Sequence, residues 1–414
     1  MKAWNKIGII VCVSALVIGS GVALSVRSQS PPEEAKAGYS RTESNGMLPP
    51  DQFAAMLEGF AEAEDEEEGL GPIYNARSCI DCHQNPVAGG NSQVSELRVG
   101  HKDSAGHFVS PTIFINHGQD SVPNRSLVND RAVCPQAQEH APLGENIRTF
   151  RMSLSVLGDG FVEAISDKTL QDIATSQPAM SGGRIAGQAI MVPVGESGQL
   201  RVGRFGWKDQ HASLLSFAGD AYLNEQGVTS GLNPNNMTEV CGTGEEGPED
   251  TDDADLHKFA SFMRATMAPP VDDVLINTPD AKSGGQIFAQ IGCAICHVPS
   301  ITTAAAGTAV NGDSYTVPEA LGNKTIHPYS DFLLHNLGTG DGIVQNGGET
   351  TANKVRTPPL WGLRTRDRFM HDGLSIMVPN AISRHGGEAG GVIKNYSKLS
   401  NKQRSQLLAF LNSL

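Results

Sequence analysis

Positive charge is what this chain is short of. Its 31 Lys and Arg are outnumbered by 45 Asp and Glu, a formal net charge of −14. A surface so biased repels a phosphate backbone, so nucleic acid is not expected as a partner. Long apolar runs are also scarce. Apart from residues 7–26, no stretch is apolar enough to cross a bilayer. Cysteine is sparse, with seven residues. One of them, Cys12, lies inside the apolar run without the Leu-Ala-Gly-type lead-in of a lipoprotein. Four fall in two short motifs, and only Cys134 and Cys241 remain.

What is present begins with those motifs, Cys79-Ile80-Asp81-Cys82-His83 and Cys293-Ala294-Ile295-Cys296-His297. C-x-x-C-H is the pattern of covalent c-type haem attachment. Two intervening residues let both sulfurs reach the edge of one macrocycle as thioethers, and the next residue turns its imidazole onto the iron. A zinc site would gather its ligand pairs in one small module, and a redox dithiol needs no histidine after its second cysteine. The reading is two covalently bound c-type haems. Cys79, Cys82, Cys293 and Cys296 hold them, and His83 and His297 are the proximal iron ligands.

Compartment follows from the same residues. Lys2 and Lys6 precede the apolar run, and Ala23-Leu24-Ser25 offers a cleavage site, so residues 1–26 read as a signal peptide or, uncleaved, a single membrane anchor. Haems of this type are attached on the exported side of a bacterial membrane, so the body of the protein is expected in the periplasm. In that oxidising setting Cys134 and Cys241 either form a disulfide or stay as buried thiols.

Glycine and proline are plentiful, 46 and 23 residues, and predict long loops. Residues 27–50 read as a polar linker. Helical spacing appears at 52–63, 213–223, 256–267, 283–291 and 402–414. Residues 110–116 alternate like a strand. Residues 188–194 and 199–205 flank Gly195-Glu196-Ser197-Gly198 as a hairpin. Ala268-Pro269-Pro270 breaks the chain between halves. The expected fold is mainly α. Two cytochrome c-like haem domains, 51–267 and 268–414, carry long loops, with a small β-hairpin insertion in the first.

The C-terminal half carries Arg356-Thr357-Pro358-Pro359-Leu360-Trp361-Gly362-Leu363, Met370-His371-Asp372-Gly373 and His385-Gly386-Gly387-Glu388-Ala389. With Gly203-Arg204-Phe205-Gly206-Trp207-Lys208 and the run from Pro328 to His335, these resemble the bacterial dihaem c-type oxidoreductase and peroxidase family, often labelled thiol oxidoreductases. The likeness runs from about residue 50 to the end. More distantly the chain is similar to dihaem cytochrome c peroxidases. The thiol label conflicts with the chemistry, because thioether formation consumes all four motif thiols.

The resemblance implies reduction of hydrogen peroxide at the N-terminal haem. The C-terminal haem would relay electrons from a small donor such as a cytochrome c or a cupredoxin. In the peroxidase relatives the second haem's sixth ligand is usually Met, fourteen positions after the His of a His-Asp-Gly motif. Counted from His371, that position holds His385, which makes the second haem bis-His. His335 is a competing ligand or a neighbour of the site. Trp207 corresponds to the tryptophan between the haems, or is a large core aromatic, and Trp361 is expected against the second haem. Glu225 falls where the peroxidases place a distal Glu, or is a surface residue after a helix. His101, His107, His117, His140 and His211 are unassigned candidates for the first haem's sixth ligand. The other reading is a dihaem electron carrier without substrate chemistry.

Overall fold

The computed structural model describes residues 31–116, 121–123, 125–242 and 249–414. The apolar run at 7–26 and His117 lie outside the described residues. Among these there are nine helices: α1 (Pro50–Ala61), α2 (Asp159–Glu163), α3 (Asp167–Ser181), α4 (Leu214–Ala221), α5 (Ala254–Ala265), α6 (Pro279–Ile291), α7 (Val378–Ser383), α8 (Gly390–Ser397) and α9 (Asn401–Leu411).

The main core is built on aromatic contacts between α1 and α5. Phe53 and Phe60 lie on one face of α1, two turns apart, and both rings meet Phe262, at 5.6 and 4.5 Å between centroids. Loss of a buried ring of this kind costs about 3–5 kcal/mol. The same cluster continues through Phe161, Leu214 and Phe259 into Ile301, Leu321, Ile326 and Phe332. Residues on both sides of Pro269 therefore share it, and Pro32–Leu414 forms one compact unit. The stretch read as a linker is tied into this unit. Glu33 and Glu34 pair in parallel with Lys324 and Thr325, and Asn45 donates to the carbonyls of Arg264 and Thr266.

A second cluster holds the C-terminal end. Ile287, Phe288 and Ile291 of α6 pack on Leu407, Phe410 and Leu411 of α9. The two helices approach closely because Gly284 lacks a side chain. A Cβ there would stand 2.0 Å from the Gln406 carbonyl oxygen.

The expected hairpin is present as Met191–Pro193 against Leu200–Val202, antiparallel, with Val192 opposite Arg201. The chain carries more β structure than the single hairpin expected. Ser95–Lys102 pairs antiparallel with Ile147–Met152 and also with Phe108–Val109 and Leu127–Val128. Glu96, Arg98, Arg148 and Arg151 interrupt the alternation a strand normally shows, because these side chains line an internal cavity. Helix α3 also went unread, being polar over most of its length and carrying Pro178. Cys134 and Cys241 form a disulfide, their Cα atoms 6.4 Å apart.

Candidate functional site: two histidine-bearing cavities

Each C-x-x-C-H motif forms one short helical turn against a cavity. In the C-terminal motif α6 is capped by Thr278, whose hydroxyl accepts from the Ala281 N–H, and stops at Gly292 with φ 102°. That left-handed residue turns the chain into Cys293–Ile295, and the His297 N–H then bonds the Cys293 carbonyl at 3.0 Å. The N-terminal motif repeats the turn at Cys79–Asp81, with the His83 N–H on the Cys79 carbonyl. None of the four motif cysteines is in a disulfide. Burial pushes Cys79, Cys82 and Cys293 up to about 12, and Cys296 upward too, so none is poised as a thiolate for exchange.

In the C-terminal cavity the rings of His297 and His385 stand 6.4 Å apart between centroids. His297 Nδ1 lies 2.9 Å from the Tyr329 carbonyl oxygen, and His385 Nδ1 lies 2.8 Å from that of Ala381. A carbonyl only accepts, so each Nδ1 carries the proton and each Nε2 keeps a free lone pair. Two imidazoles on one metal at roughly 2.0–2.1 Å, each ring adding about 1.1 Å from nitrogen to centroid, would separate their centroids by about 6.3 Å. Burial lowers both histidines, His297 to about 4, so both are neutral. Leu360, Leu363, Ile382, Val392 and Leu407 wall the space between them. These residues fit a flat apolar macrocycle held by two imidazoles.

His335 is engaged on both ring nitrogens. Its Nε2 is 2.8 Å from Asp331 Oδ2 and its Nδ1 is 2.9 Å from Glu388 Oε2. Held between two carboxylates, it titrates well above an ordinary histidine despite its burial. The nearby Cys296 belongs to the same cluster.

The N-terminal cavity, about 790 Å³, is more polar. Burial pushes its His83 down to about 4. A buried, neutral imidazole on a cavity lined by Cys79 and Cys82 fits a haem ligand. Across this cavity stand groups its C-terminal counterpart lacks. Glu225 sits in a π turn, Tyr222–Gln226, that continues α4. Asn75, four residues before Cys79, holds it twice: the Asn75 N–H donates to the Glu225 carbonyl, and Asn75 Nδ2 donates to its carboxylate, each at 2.7 Å. Burial and the neighbouring carboxylate of Glu96 push Glu225 up to about 8. Burial works against charge on Glu96 too, but a bidentate pair with Arg98, at 2.7 and 2.9 Å, outweighs it and holds Glu96 below the usual range. Asp159, on the same cavity, is raised to about 7 by burial.

Trp207 lines both cavities, as do Met152 and Arg356. Its indole N–H donates to the Met152 carbonyl at 2.7 Å, and its ring meets His371 edge-on at 6.0 Å. His371 is buried on the C-terminal cavity. Trp361, expected against the second haem, packs instead in the main core over Gly158. Of the unassigned histidines, His140 lines the N-terminal cavity. His101 is engaged by Glu145, His211 by Asp220, and His107 is exposed beside Asp103. Sequence reasoning missed Glu96 and Arg98. Their signal was two opposite charges two apart, which on a strand puts both on one face.

A family model described as "Di-haem oxidoreductase, putative peroxidase" matches residues 143–414, and the chain belongs to that family. Membership implies two haems. The matched stretch contains Trp207, Glu225, the Cys293–His297 motif and His385, while Cys79–His83 precedes it. No curated protein matches the chain. Among solved structures it is similar to a MauG-like protein associated with microbial copper homeostasis, at 19% identity and a TM-score of 0.27 over 40% of this chain. The match spans 54% of that protein, about half its length. It is also similar to hydrazine synthase from Kuenenia stuttgartiensis, at 12% identity and a TM-score of 0.39, covering 98% of this chain and all of that one. A variant of the diheme peroxidase BthA from Burkholderia thailandensis aligns at 14% identity, with a TM-score of 0.33, over 93% of this chain and 91% of that one.

Proposed function

We propose that the protein is an exported c-type dihaem oxidoreductase that reduces hydrogen peroxide at its N-terminal site. Electrons reach that site through the C-terminal one. The observation that carries this reading is the difference between the two cavities. His297 is matched by a second imidazole at 6.4 Å, whereas His83 shares its cavity with a carboxyl group, Glu225, raised to about 8.

In this reading Cys79, Cys82, Cys293 and Cys296 bind the haems as thioethers, and His83, His297 and His385 ligate iron. Haem iron bound there would supply one-electron transfer and cleavage of the peroxide O–O bond. The rest falls to the chain. His297 and His385 would both hold the C-terminal haem and would leave no place there for a substrate. Glu225 holds a proton at neutral pH for the leaving oxygen, and Asn75 fixes where that proton is delivered. Trp207 gives electrons an aromatic group between the cavities.

The donor is a small redox protein of the cytochrome c or cupredoxin type, and a positively charged face on it would suit a chain of net charge −14. Export to the periplasm is supported by the apolar run at 7–26, cleaved or kept as an anchor, and by the Cys134–Cys241 disulfide. The test is peroxide turnover with a reduced donor. Wild type should turn over, and Glu225→Gln should keep both haems yet lose about 10²–10⁴-fold in rate. A haem-loaded wild type inert to peroxide would contradict the proposal and leave an electron carrier.

A further inference from the structure

The peroxide reading gives the proton work to Glu225, but Glu225 does not stand alone. Glu96, on the strand Ser95–Lys102, faces the same cavity and hydrogen-bonds its carboxyl group. The two carboxyl groups are held from opposite sides. Arg98 grips both oxygens of Glu96, at 2.7 and 2.9 Å, and donates also to Ser126 Oγ. Asn75 donates to Glu225 at 2.7 Å. One partner is therefore tied to a cation and the other to a neutral amide. Two buried carboxylates in contact cannot both be charged without strong repulsion, and the arginine keeps Glu96 from being the one that takes the proton.

We infer that Glu96 is a positioning residue of the N-terminal site: with Glu225 it forms one carboxyl pair carrying a single proton, which the charge of Glu96 keeps on Glu225, and this pair is the proton donor of the site. The inference rests on the reading of that cavity as the peroxide site, and deepens it. The directions of the two titrations agree, Glu225 raised to about 8 and Glu96 lowered. Arg151 and Arg125 also act on the pair, Asp220, itself paired with His211, acts on Arg98, and Asp159, Arg131 and Cys82 line the same cavity. The proton given up is replaced from solvent, so each turnover returns the pair to its one-proton state.

Infrared difference spectroscopy of the haem-loaded protein, titrated with pH, reads the pair without turnover. Wild type should show a protonated-carboxyl C=O band at pH 6 that is absent from Glu225→Gln and titrates away with a midpoint near 8. Glu96→Gln removes the neighbouring negative charge, so the midpoint should fall by roughly one to three pH units. Glu96→Asp keeps the charge and should restore a midpoint near that of wild type. Arg98→Gln, which releases Glu96 from its cation, should move the midpoint up. The alkaline limb of peroxide turnover should follow each shift. An unchanged midpoint in Glu96→Gln, or in Arg98→Gln should the first variant not fold, overturns the inference, as does a wild type with no such band at pH 6. If the midpoints move as stated while peroxide is not turned over at any pH, the carboxyl pair stands and the peroxide reading falls.

Discussion

The imidazoles of His297 and His385 face each other at 6.4 Å, each with its Nδ1 within 3 Å of a backbone carbonyl, at Tyr329 and Ala381. That spacing and those tautomers suit two ligands on one metal. His83 has no such partner among the ring contacts of the described residues.

Replacing His385 with Met tests the C-terminal half of it. A thioether favours ferrous iron relative to imidazole, so that haem's potential should rise. A shift on the order of 100 mV is reasonable within the ~0.8 V that axial ligands command. Potentiometric titration reads it. A potential unmoved by the substitution would remove His385 from the ligand set.

Covalent attachment is checked by mass and by haem retention. Expressed beside a haem-attachment system, the protein should keep two haems through acid-acetone extraction. Cys79→Ala and Cys293→Ala should each lower that number. Protein that carries zinc and no haem would end the c-type reading.

Glu64 offers a pH test of stability unconnected with turnover. It is buried, accepts from the Tyr222 hydroxyl at 2.9 Å, and is raised by burial to about 7. Its unfolded value is near 4.5. A carboxyl raised in the folded state binds its proton more tightly there. Its contribution is therefore complete below about 4.5 and is lost as pH rises through about 7. Glu64→Gln keeps an acceptor for Tyr222 and removes the charge. It should match wild type at pH 4 and exceed it by about 1–3 kcal/mol at pH 8 in denaturant melts. Equal stability at both pH values would show that Glu64 does not titrate as described.

The two C-x-x-C-H motifs were legible because the spacing a c-type haem would require does not depend on the fold. Helices α1, α5, α6 and α9 were legible because each buries one face, as Phe53 and Phe60 do on Phe262. The sheet around Ser95–Lys102 was hidden by its charges. Glu96 and Arg98 read as surface residues until the fold turns them onto a cavity wall. Trp361 was misplaced for a similar reason. A tryptophan beside a proline run suits a haem edge and a hydrophobic core equally, and Gly158 decides between them by leaving space for its ring. Glu225 was singled out because it falls where the peroxidase relatives place a distal Glu, but its contacts with Glu96 and Asn75, both distant in sequence, were not legible.

The central claim is that the two sites are unlike, one iron closed by two imidazoles and one open to peroxide. Electron paramagnetic resonance of the oxidised, haem-loaded protein tests it most directly. The account expects a low-spin ferric signal from the His297–His385 site together with a second ferric species that changes on adding peroxide. Two low-spin signals, both indifferent to peroxide in every redox state, would contradict it.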